Sequence, residues 1–127
     1  HERQFLEAVN KAAKQMALDV KFFIGFADLS ISAYHFYYEF ADQNTTQAQC
    51  DEFTKLVDKL LSEENIEYKA KRESFRVGDP IGHCLVENSF ELFKGACIAE
   101  GARDGQFKLN LLLQDEKRHE KFKKLVK

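Results

Sequence analysis

Glu116-Lys-Arg-His119 places a carboxylate and an imidazole three residues apart. On a helix these share one face, as in bundles that hold paired metal ions. Such a site also needs a second Glu–His pair and further inward carboxylates. Glu64 and Glu91 are the candidates to join Glu116 and His119, and Glu64-Asn-Ile-Glu67 lacks the histidine. A ferritin-like di-metal four-helix protein therefore stands only as a secondary reading, and no metal is expected. His1, His35, His83 and His119 carry no local Cys–His or Ser–His signature. No GxxxxGK[ST] or GxGxxG loop is present to cradle a phosphate. His35 lies in an aromatic stretch and reads as a packed histidine. Cys50, Cys84 and Cys97 form an odd set without CxxC spacing and read as buried thiols. The residues predict a non-enzyme without catalytic residues, cofactor or small-molecule substrate.

Charge points instead to surfaces. The net charge is only −2, yet residues 25–67 hold nine acids against two lysines. Lys69, Lys71, Arg72 and Arg76 follow as a basic group, and Lys117, Arg118, Lys121, Lys123, Lys124 and Lys127 form a second near the end. Segregation of this kind suits a partner of complementary charge, and equally a solvated helix face balanced by neighbouring acids. A sequence pI of about 6.1, with acids interleaved, argues against nucleic acid.

The elements that must position these residues read as helices. The chain has 127 residues, 44% of them apolar, with Gly 6 and Pro 1. That fills one core and argues against turn-rich all-β architectures. Phe5, Val9, Ala12, Met16, Val20, Phe23 and Ala27 recur at steps of three and four, predicting one long first helix. The stretch to Phe40 then becomes apolar on every side, as a central or sticky helix would be. Thr46 and Gln49 predict a capping box for a second long helix, with Phe53, Leu56, Val57, Leu60 and Leu61 inward. Val77-Gly-Asp-Pro80 breaks it, and a third helix is predicted over 81–99. A turn at 101–105, with Asp104 as cap, leads into a last helix carrying Phe107, Leu109, Leu111, Leu112 and Leu113. The expectation is a single all-α domain over 1–127, a bundle of four to five helices with the two long ones first. The absence of a Met and of a leader at His1 fits a processed, secreted chain and equally a trimmed piece of a longer one.

Laid end to end, these landmarks resemble the sperm lysin family of marine gastropods and its fusogenic acrosomal paralogue. The likeness runs through Phe22-Phe-Ile-Gly25-Phe26-Ala-Asp28, Asn44-Thr-Thr-Gln47, Arg76-Val-Gly-Asp79, the Phe90/Phe93 pair and Arg103-Asp104. It implies a secreted acrosomal protein acting in fertilisation without catalysis, by binding and loosening the egg vitelline envelope. A fusogenic or acrosomal packaging paralogue is the alternative. The implied partners are an egg-coat glycoprotein, the gamete membrane and a second copy of the chain. Lys69, Lys71, Arg72, Arg76, Lys117, Arg118, Lys121, Lys123 and Lys124 would form the basic tracks. Tyr34, Phe36, Tyr37, Tyr38 and Phe40 would form the hydrophobic patch. The mildly acidic balance and the cysteines depart from that family, whose members are strongly basic.

Overall fold

The computed structural model describes residues 2–99, 101, 112–113 and 115–127. It overturns the all-α expectation: helices cover both faces of a four-stranded sheet. The chain runs α1 (Glu2–Met16), β1 (Val20–Asp28), β2 (Ala33–Phe40), α2 (Gln47–Glu64) and α3 (Ile66–Glu73). It continues through β3 (Ile81–Cys84), α4 (Ser89–Ala99), β4 (Leu112–Leu113) and α5 (Glu116–Lys123). The strand order is β3-β2-β1-β4, with β1 antiparallel to β2 and both outer strands parallel to their neighbours. Apart from Gly101, the expected turn at 101–105 lies outside the described residues, as do its Asp104 cap and Phe107, Leu109 and Leu111.

The departure begins at Ala17. α1 turns Phe5, Ala8, Val9 and Ala12 inward on helical spacing, and then Ala17 takes a φ of 52° and ends it. The predicted long helix is thus a helix followed by a hairpin. From Val20 to Phe40 the sequence is rich in Phe and Tyr, residues that fit a pleated surface. Every position from Phe36 to Phe40 is buried, because this strand is covered on both faces. The same pattern also fits a helix apolar all round, which is the expectation the strand replaces. The tip at 29–32 is held by Asp28, whose Oδ1 accepts from the backbone N–H of Ser30 at 3.0 Å.

The expected cap of the next helix is present. The Thr46 side chain accepts from the Gln49 N–H while the Gln49 side chain accepts from the Thr46 N–H. Asn65 then serves two helices. Its N–H donates to Leu61 O to close α2, and its side chain accepts from the Tyr68 N–H to open α3. The break at 77–80 leads into β3 rather than a third helix. α2 and α3 together form the crossover that a parallel β2–β3 pair requires.

Two cores result. On one face Phe5, Val9 and Ala12 of α1 and Cys50, Phe53, Val57 and Leu61 of α2 pack on Phe36, Tyr38 and Phe40. On the other, Phe93 and Cys97 of α4 and Phe122 of α5 pack on Ile24, Phe26, Tyr37 and Leu85. β3 approaches α2 so closely at Gly82 that a Cβ there would meet Thr54 Oγ1 at 2.1 Å and Cys50 Sγ at 3.1 Å. Gly82→Ala should therefore cost about 1–3 kcal/mol of stability in urea unfolding. Gly95→Ala, with nothing within 4 Å of its Cβ, should instead gain about 0.5–1 kcal/mol, since it removes a glycine from a helix interior.

Candidate functional site

The strands bring titratable side chains together that lie far apart in sequence. Asp28 closes β1, on the same face as Phe22, Ile24 and Phe26 by strand alternation. His35 and Tyr37 stand on that face of β2, and the register sets Tyr37 opposite His83 of β3. His119, in the first turns of α5, is buried over them. His35 Nε2 lies 3.0 Å from Asp28 Oδ2, and His35 Nδ1 lies 2.9 Å from His83 Nε2. The Asp28 carboxylate can only accept, so His35 donates from Nε2. With His35 neutral, Nδ1 then accepts from the Nε2–H of His83. Tyr37 OH is 2.8 Å from His119 Nε2. The rings also pack: His119 lies over Phe26 at 4.7 Å with planes 9° apart, and His83 over Tyr37 at 4.5 Å with planes 18° apart.

Electrostatics follow from this burial. Desolvation first, then the neighbouring His35 and His119, lowers His83 to about 4. Desolvation and then His35 and Lys123 lower His119. Hydrogen bonds from Ser30 and His35 hold Asp28 at about 2. Burial raises Tyr37. The network is a chain of imidazoles ending on a carboxylate, set between sheet and α5. It ties α5 to the sheet by polar as well as apolar contact.

Across the sheet, the Cys50 thiol contacts Cys84. That contact and burial push the Cys50 thiol up, so it stays protonated. All three cysteines are free and buried, which agrees with their reading as packed thiols.

The residues singled out from sequence disperse. Phe36, Tyr37, Tyr38 and Phe40 are buried in β2, and Tyr34 is half-buried, so they are core rather than an outward patch. Arg72 is held in a fork by Asp58, at 2.9 Å from Nε and from Nη2, and pairs with Asp79 at 2.6 Å. Lys69 lies 3.9 Å from Glu73, while Lys71 and Arg76 are exposed. In α5, Arg118 sits 5.8 Å over the Phe93 ring and Lys123 bonds Glu120 at 2.8 Å. Lys117 and Lys124 are exposed and Lys121 is half-buried. α3 and α5 anchor in the cores on opposite faces of the sheet, so the two basic groups do not join in one track. The di-metal set separates in the same way. Glu64 bonds Lys11 on the α1 side, Glu91 and Glu116 are exposed, and His119 faces Tyr37. Among the described residues no group of three or more His, Cys, Asp or Glu is placed to hold a metal ion.

Sequence reasoning missed the Asp28–His35–His83 chain. Its signal was the alternation Phe22, Ile24, Phe26, Asp28, which runs at the period of a strand.

The model for the GH3 family C-terminal domain matches residues 3–117. The chain belongs to this family. GH3.15 acyl acid amido synthetase has the same fold, with a TM-score of 0.79 over 98% of this chain at 18% identity. AtGH3.15 acyl acid amido synthetase in complex with 2,4-DB gives 0.77 over 98% at 18%. The chain spans about a quarter of the length of these proteins, 24% and 23%. No curated protein matches it. Membership in GH3 overturns the lysin resemblance, and with it the non-enzymatic egg-envelope role, its fusogenic and packaging alternatives, and the secreted acrosomal location. Both of these solved proteins are acyl acid amido synthetases.

In this GH3 domain the histidine network sets a dependence on pH. An unfolded histidine binds a proton near about 6.5, while folded His83 does so only near about 4. The unfolded form therefore holds more protons between these values, and stability falls as pH drops through that window. Asp28 acts lower: its contribution is present above about 3.9 and is lost as pH falls toward 2. Urea unfolding should show a loss of about 1–3 kcal/mol between pH 7.5 and 4.5, and His83→Gln should flatten that slope.

Proposed function

We propose that the 127 residues act as one domain, the C-terminal part of an acyl acid amido synthetase that joins the carboxyl of an acyl acid to an amine. The observation that supports this most is the family match over residues 3–117, joined to a fold shared with such synthetases over 98% of the chain. The domain's own polar groups fit a supporting role. Asp28, His35, His83, Tyr37 and His119 satisfy one another between sheet and α5. Forming an amide in water requires an activated carboxyl, a deprotonated amine and exclusion of competing water. On this reading those demands are met by the whole polypeptide, to which this chain contributes one part.

The test is product formation by the full polypeptide that carries this chain. It is incubated with ATP and magnesium ion, to activate the carboxyl, and with 2,4-DB and other acyl acids against a panel of primary amines, amino acids included; amides are read by mass spectrometry. A new amide that disappears when residues 1–127 are deleted is the expected result. No amide with any pair, from folded protein, would remove the reading.

A further inference from the structure

We infer that the end of the domain formed by the β1–β2 tip and the loop after α3 is the surface that docks against the remaining body of the same polypeptide. The inference rests on the reading of this chain as one part of a longer synthetase.

Several elements converge at this end. β1 finishes there and β2 and β3 begin there, since β3 is parallel to β2. α2 arrives there too: Glu64 O accepts from the Gln4 side chain at 3.0 Å, and Asn65 donates to Gln4 at 2.7 Å. The entry of the polypeptide into α1 is therefore at the same end. The loop after α3 is tied to the hairpin tip by the Gly78 N–H, which donates to Ser32 O at 2.8 Å.

This end leaves three large apolar side chains in water. Leu29 is 69% exposed, Ile31 50% and Phe75 91%. Phe75 is the most telling. The Arg76 N–H donates to Lys71 O and the Phe75 N–H to Arg72 O, the pair of bonds that closes a helix through a left-handed residue. Glycine is the ordinary occupant of that position, yet here a phenylalanine takes a φ of 59°. A bulky residue in that conformation, with its ring in water, gains nothing for the isolated domain. It gains burial once a second surface covers it. Lys71 and Arg76 stand exposed beside it, a charged border of the kind that surrounds an apolar contact. The likeness to proteins about four times longer supplies the occupant, since most of each lies outside the matched region.

Single cysteines introduced into the full polypeptide test this. The thiols within residues 1–127 are buried, and labelling is read by mass spectrometry on the peptide that carries each introduced cysteine. Phe75→Cys and Leu29→Cys are compared with Gln15→Cys, an exposed position at the far end of α1, by the rate of maleimide labelling. The docked surface predicts labelling at 75 and 29 at least about tenfold slower than at 15. Equal rates at all three positions would overturn the inference. So would protection that vanishes on dilution, because a second copy would then be the cover. The amide assay reports separately. Protection without amide formation keeps the docking surface and removes the synthetase reading, while amide formation with free labelling does the reverse.

Discussion

The fold depends on covering both faces of one hairpin. β1 and β2 occupy the centre of the sheet, and their ring-bearing side chains alternate between two cores. Phe36, Tyr38 and Phe40 face α1 and α2, whereas Phe26 and Tyr37 face α4 and α5. A hairpin so apolar on both sides has no stable existence in water by itself. Each helix layer is therefore required by the strand residues beneath it. The close approach of Gly82 to α2 follows from the same demand, because β3 must lie flat under a helix that also covers the hairpin.

Covering the second face buries polar groups as well, and the structure pairs them. His35 of β2 bonds Asp28 and His83 of β3, and His119 of α5 bonds Tyr37, in place of water. Glu39, buried in β2, accepts from the Asn88 N–H at 3.1 Å just ahead of α4, where the helix dipole favours a carboxylate. On the other side Asp58 of α2 grips Arg72 of α3 through both oxygens. Among the described residues no buried side-chain nitrogen or oxygen lacks a partner. These bonds fix which helix sits over which strand, since an apolar contact alone would tolerate sliding.

The interior is thus self-sufficient while one end is not. The hairpin tip and the loop after α3 leave large apolar side chains in water beside well-satisfied cores. That contrast between satisfied cores and an uncovered end is the ground on which the docking surface is inferred.

Local signals in the sequence were read correctly where they rest on neighbouring residues. The Thr46–Gln49 box caps α2, the inward face of α1 follows Phe5, Val9 and Ala12, and the break before Pro80 is real. The basic group near the end does lie on a helix, α5. The resemblance to lysin rested on the order of such landmarks, which many folds can share. What misled was the stretch from Val20 to Phe40. Its apolar residues satisfy a helical period as readily as a buried strand, because a strand covered on both faces loses its alternation. The histidine network was out of reach for a related reason. His35, His83 and His119 meet only through strand pairing and the packing of α5, contacts made across 48 and 82 residues. The sequence by itself determined caps, breaks and the amount of apolar surface to be hidden, since these depend on near neighbours and composition. Only the tertiary structure decided between helix and strand at the centre, because that choice turned on what covers each face.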